Sequence, residues 1–246
     1  MTKQTDLIAY LFDGQPHQLS GELRQWLEAS GRFTAFVETN RDKIRKKIRV
    51  ALEPETVLDL RSELEVAAYL LNDRRLVLAY EPYLSARRRG PDYAVTYKAN
   101  LVFNLEVSRL RVQSAAVGDP AEGAGVDLRR AQERVLGVLS DKLSQMQPGA
   151  PNLLVIHTSD ELARRIDLGV LMHSFKARAE AKDPTFYALL GYAGPAAFFK
   201  DYLRLTAIIL MSTGAPLWIN KQARPPLHPK ALRLVQSMLA GRQPAA

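Results

Sequence analysis

Leu60, Leu64, Ala67 and Leu71 recur at helical spacing between Asp59 and Asn72 and mark the strongest helix in the pattern. The next apolar run, Leu76 to Tyr80, reads as a short strand ended by Glu81-Pro82. Asp92 to Tyr97 and Leu101 to Leu110 read as two further strands, with Lys98-Ala99-Asn100 as the hairpin turn. Residues 114–126 are rich in Gly and Ala and read as a loop. Asp127 to Met146 predicts a long amphipathic helix with Asp127 as its N-cap, closed by Pro148-Gly149-Ala150-Pro151. Leu153 to His157 is continuously apolar, the pattern of a central strand buried on both faces.

On either side of this block the pattern is helical. Residues 20–50 read as helices with a break at Gly31. After Ser159 the chain reads as mainly helical, interrupted at Asp183-Pro184 and Gly194-Pro195. Pro216 to Ile219 adds a short strand and Pro229 to Leu239 a last helix. Helix, three strands, helix, strand over residues 59–158 predicts an α/β core with a mixed central sheet flanked by helices. Residues 1–58 form an N-terminal helical extension and 159–246 a mainly helical C-terminal region packed on that core.

Composition narrows the function. The chain has 246 residues, 47% of them hydrophobic, enough for one large domain or one domain with a helical addition. No apolar run reaches the roughly 18 residues that a spanning helix needs. The most apolar stretch, Leu205 to Met211, is too short and follows Arg204. No secretory signal is visible, and no membrane partner is expected. Cysteine is absent, which excludes disulfides and thiolate metal sites and fits the cytoplasm. A net charge of +8 favours polyanionic partners. The positive charge is concentrated in Arg41 to Arg49 and in Arg87, Arg88 and Arg89, which stand just before Pro91-Asp92.

Side chains alternate along a strand, so the hairpin turn fixes which residues meet. Tyr97 faces Leu101, Thr96 faces Val102, Ala94 faces Asn104 and Asp92 faces Glu106. One face then holds Asp92, Ala94, Thr96, Asn104, Glu106 and Ser108; the other is core. Opposed Cβ atoms lie about 5 Å apart, and two carboxylates there repel unless a cation lies between them or one is protonated. Hard oxygen ligands favour magnesium, manganese or calcium. The plainer reading is an exposed sheet face with two surface acids. Glu63 lies inside the apolar arc of its helix, where either a site role or a structural arginine would satisfy it. Glu65 falls on the polar side with Arg61. Gln132 lies within the stripe of Leu128, Val135, Leu136, Leu139 and Leu143, as a core glutamine or a site residue.

The order of helix with Glu63, strand, Pro91-Asp92, strand with Glu106-Val107-Ser108, helix with Gln132 and strand resembles the restriction-endonuclease-like, or PD-(D/E)XK, nuclease superfamily. The resemblance covers roughly residues 59–158. It implies a restriction-endonuclease-like core, Mg2+ or Mn2+ held by Asp92 and Glu106, and catalytic roles for Glu63, Asp92, Glu106 and Gln132. It also implies DNA or RNA as partner, with Arg87, Arg88 and Arg89 as phosphate-binding residues. A homodimer is compatible with it.

The family lysine falls at Ser108, which carries no charge. Arg109 points to the opposite face, and Lys98 lies about 20 Å away at the far end of the hairpin by strand rise. Arg129, Arg130 or the Arg87–Arg89 run would have to reach in. Two outcomes follow: Mg-dependent phosphodiester hydrolysis with a relocated cation, or an inactive nuclease-fold binding or scaffold module. No phosphate-binding GxxxxGK loop, GxGxxG turn or GxSxG elbow is present. His17, His157, His173 and His228 are scattered, and His157 is expected as a packed strand-end residue.

Overall fold

The structure, a computed structural model, describes residues 3–83, 90–98, 100–111 and 123–240, without side chains for Lys3 and residues 123–127. Five helices open the chain: α1 (Lys3–Leu11), α2 (Ser20–Ala29), α3 (Gly31–Thr39), α4 (Arg41–Val50) and α5 (Pro54–Leu70). Then come β1 (Leu76–Tyr80), β2 (Tyr93–Tyr97), β3 (Leu101–Arg109), α6 (Gly123–Leu143) and β4 (Asn152–His157). The remainder is α7 (Asp160–Arg165), α8 (Leu168–Glu180), α9 (Pro184–Leu189), α10 (Pro195–Tyr202), β5 (Leu205–Met211), β6 (Leu217–Ile219) and α11 (Pro229–Ala240). No helix among the described residues is long and apolar enough to cross a membrane.

The six strands form one mixed sheet in sequence order, β1-β2-β3-β4-β5-β6. The first three are antiparallel neighbours, β3, β4 and β5 run parallel, and β6 returns antiparallel to β5. Each parallel step needs a crossover. The segment containing α6 joins β3 to β4, and the segment containing α7 to α10 joins β4 to β5. The hairpin register is the one that residue parity requires, with Tyr97 opposite Leu101, Thr96 opposite Val102 and Ala94 opposite Asn104.

Helices cover both faces, and the two cores follow from strand alternation. Tyr93, Val95, Tyr97, Phe103, Leu105 and Val107 pack with residues of α1–α5 and α11. Leu154, Ile156, Ile208 and Leu210 face the other way, against Val135, Leu139 and Leu143 of α6 and Phe175 and Phe198 beyond it. The Tyr93 hydroxyl donates to the Glu63 carbonyl at 2.9 Å and ties α5 to β2. Asn152, fully enclosed, accepts from Asn104 at 3.0 Å and holds the starts of β3 and β4 in register.

Three expectations change. Every residue of β5 is buried, and this strand lies in the region that the sequence pattern assigns mainly to helices. A seven-residue apolar run has no period to separate strand from buried helix. Helix α5 begins at Pro54 instead of Asp59, because proline suits the first helical turn. Helix α6 begins at Gly123, so Asp127 lies inside it and is not its N-cap.

Candidate active site

The site arises where β2 stops short. β2 begins at Tyr93, opposite Leu105, while β3 continues to Arg109 beside β4. Among the described residues, no strand pairs with β3 on its β2 side past Leu105, and Asp92 stands at this notch. Its Oδ2 accepts the Val107 N–H at 2.8 Å, in place of a ladder bond. The notch lets side chains from both faces of the sheet meet. Glu63 of α5 and Lys47 of α4 come from one side, and Lys142 of α6 comes from the other.

A cavity of about 330 Å³ opens there, and its walls include Lys47, Glu63, Asp92, Ser108, Arg109 and Lys142. Lys47 Nζ donates to Glu63 Oε1 at 2.5 Å and lies 2.8 Å from Glu81 Oε1. Lys142 Nζ is paired with Glu106 Oε1. Glu106 is 4% exposed and sits behind Lys142, outside the cavity wall.

Charge and burial act together on Glu63, Glu106 and Lys47. Burial first, and then Asp92, push the Glu63 carboxyl up to about 8, with Lys47 pulling the other way. Burial and then Asp92 likewise raise Glu106 to about 7 against the pull of Lys142. Burial acts against the charge on Lys47, but Glu63 and Asp92 outweigh it and hold the ammonium above the ordinary lysine range. Four acids, Glu63, Glu81, Asp92 and Glu106, are set against Lys47 and Lys142, and this excess of negative charge adds to burial in favouring the protonated forms of Glu63 and Glu106. Glu106 Oε2 is buried with no hydrogen-bond partner. A buried carboxylate oxygen left in that state favours a proton or a cation.

That orphaned oxygen and an all-oxygen donor set fit a hard divalent ion by chemistry. Among the described residues, however, no group of three or more His, Cys, Asp or Glu side chains is arranged to hold a metal ion.

The structure brings Glu63, Asp92 and Glu106 into one electrostatic unit. It does not bring Gln132. That residue is half-buried, absent from the cavity wall and about 15 Å before Lys142 at ~1.5 Å rise per residue. Arg129 is exposed and pairs with Glu133 at 3.1 Å, and neither it nor Arg130 lines the cavity. Arg109 points to the α5 face, opposite Ser108, as strand parity requires, and lines the cavity from that side. Its guanidinium is held by Glu55 and by Asp59, the latter at 3.2 Å. Arg87, Arg88 and Arg89 lie outside the described residues. Glu65, expected on the polar side of α5, is buried between Arg61 at 3.6 Å and His157 Nε2 at 3.5 Å. His157 is therefore a packed strand-end residue.

Lys47 and Lys142 are the residues that sequence reasoning missed. They share a signal. Each stands three residues after a buried aliphatic and one before another, Ile44 and Ile48 for Lys47, Leu139 and Leu143 for Lys142. A lysine on the shoulder of an apolar stripe runs its stem along the core and carries its ammonium to the edge. Gly90, two residues before Asp92, is held against Tyr83; a Cβ on it would lie 2.7 Å from Tyr83 Cβ.

Comparison with protein-family models, curated proteins and solved structures finds no match to this chain.

Proposed function

We propose that this chain is a PD-(D/E)XK-like protein that acts on nucleic acid and hydrolyses phosphodiesters at the cavity between α4, α5, β3 and α6. The observation that carries this reading is Lys142, which supplies beside Glu106 the positive charge that Ser108 lacks. The order α5, β1, β2, β3, α6, β4 and the hairpin register support it. So does the position of Asp92 and Glu63 on the cavity wall.

In this reading Asp92 and Glu106 would hold Mg2+ or Mn2+, with Glu63 beside them. The ion, when bound, supplies Lewis-acid stabilisation of the phosphoryl oxygens and acidifies water. The chain's own residues do the rest. The Val107 N–H fixes Asp92, so the carboxylate is oriented before substrate arrives. Lys142 places its ammonium against charge developing on the phosphoryl group. Glu63, pushed up to about 8, would take up the proton released by the attacking water in its ionised form, which grows as pH rises toward 8. Lys47 keeps the cluster from accumulating three uncompensated negative charges.

The test is cleavage of labelled DNA and RNA in Mg2+ or Mn2+. Wild-type protein cleaves one of them, and Asp92→Ala and Glu106→Ala abolish cleavage. Cleavage that persists in both variants refutes the assignment. The pairing of Lys47 and Lys142 with two of the acids favours a second reading, a non-catalytic nucleic-acid-binding module on the same fold. That reading requires salt-sensitive binding without hydrolysis, unchanged when either acid is removed.

A further inference from the structure

At the outer rim of the cavity, two aliphatic side chains stand in solvent beside the most basic helix of the chain. Val50 is 70% exposed and Leu52 is 83% exposed, and Val50 lines the cavity. Val50 ends α4 and Leu52 follows it; the helix sequence RDKIRKKIRV buries Ile44 and Ile48 and leaves Lys43 and Lys46 exposed. Lys43, Lys47 and Val50 fall at helical spacing on one stripe, and Lys46 lies one turn before Val50. Lys46 is exposed and has no ion-pair partner among the described residues. Lys43 is exposed and donates at 2.8 Å to the Tyr80 carbonyl, a contact that leaves its charge unneutralised.

On the far side of the rim, Glu55 and Asp59 of α5 are held by Arg109 and Arg111, so their charges are compensated. Lys43 and Lys46 of α4 have no acidic partner among the described residues, and the phosphates of a polyanion follow them along α4. Val50 and Leu52 beside them offer an apolar contact. In a duplex the base faces are stacked and hidden; only an unpaired or terminal base presents one.

Resting on the proposed function, we infer that the rim of Val50 and Leu52 seats an unpaired nucleobase, and that the substrate is single-stranded or frayed nucleic acid tracking along Lys43 and Lys46. Phosphate contacts supply the salt-dependent part of binding and the apolar rim supplies the preference for strands with exposed bases.

The experiment is fluorescence anisotropy of the full chain, in EDTA to prevent cleavage, with one labelled oligonucleotide as a single strand and as its duplex. Wild type binds the single strand about tenfold more tightly, and Val50→Ser with Leu52→Ser reduces that affinity ~5- to 10-fold while leaving duplex binding unchanged. Lys46→Gln lowers the slope of log affinity against log salt by about one for both forms. Equal affinity for the two forms, or indifference to the double substitution, overturns the inference and leaves the proposed function standing. So does a wild-type homodimer that Leu52→Ser dissociates in sedimentation, which would make the rim an interface between copies. Binding of neither form removes the proposed function and this inference with it.

Discussion

Lys142, on the shoulder of α6, closes onto Glu106, which β3 holds beneath it. The pair joins α6 to β3, and Lys142 is the hydrogen-bonded cation on Glu106 among the described residues. Removing one member leaves a buried charge without its partner, which costs more than the intact pair is worth. Lys142→Met is expected to lower unfolding free energy by about 3 kcal/mol in urea denaturation at pH 8. Lys142→Met with Glu106→Gln should recover most of the loss. A single substitution within about 0.5 kcal/mol of wild type would show the pair to be solvated, because exposed pairs contribute no more than that.

Stability should fall as pH rises through neutrality. Glu63 and Glu106 hold their protons in the folded state up to about 8 and about 7, against 4.5 for an ordinary glutamate. A raised carboxyl contributes stability fully below its unfolded value and loses it as pH passes the folded value. Between about pH 5 and 8 the folded state binds more protons than the unfolded state, so the slope of stability against pH is negative there. Burial raises both groups most, Asp92 adds to it, and Lys47 on Glu63 and Lys142 on Glu106 oppose it; Glu81 faces the same cluster through Lys47. Thermal melts across this range should show a falling Tm, and Glu63→Gln should flatten the fall. A Tm that rises from pH 5 to 8 would contradict the cluster as described.

The part of the fold with a clear period was legible in the sequence. Parity along β2 and β3 gave the register from Ala94–Asn104 to Tyr97–Leu101, because a one-residue slip would turn the whole core face outward. The same argument brought Asp92 near Glu106. β5 escaped because a strand buried on both faces has no alternation to detect. Lys47 and Lys142 escaped for a different reason. Their charges meet the acids through a gap in the sheet, and the gap depends on where β2 ends relative to β3. Nothing in the local pattern of α4 or α6 specifies that offset. Gln132, a core glutamine by its place in the α6 stripe and a site residue only by the resemblance, lies too far up the helix; height along α6 decides which residue reaches the notch, and that falls to Lys142.

Asp92 serves both as charge and as hydrogen-bond acceptor, and two substitutions separate these roles. Asparagine can still accept the Val107 N–H through its side-chain oxygen, whereas alanine leaves that donor without its partner. Asp92→Asn should therefore fold with wild-type stability or better at pH 8, since it removes repulsion on Glu63 and Glu106. Asp92→Ala should lose about 1–2 kcal/mol. Both should abolish cleavage. If Asp92→Asn were as destabilised as Asp92→Ala, the carboxylate would be needed for its charge in the fold itself.

Gly90 is a test of how tightly Asp92 is placed. The atom nearest to an added methyl is Tyr83 Cβ at 2.7 Å, with the ring carbons Cδ2 and Cγ at 3.3 and 3.4 Å. A Cβ is fixed by its own backbone and cannot rotate away, so Gly90→Ala must push the two chain segments apart. The expected cost is about 1–3 kcal/mol, the usual range for overpacking, with a loss of cleavage beyond what the melt explains because Asp92 is two residues on. Trimming the ring does not cure this, since the clash is with Cβ. Tyr83→Ala in the Gly90→Ala background should give no rescue, while Tyr83→Gly in the same background should restore activity in part. Rescue by Tyr83→Ala would mean that the ring, and not the close backbone approach, requires glycine at this position.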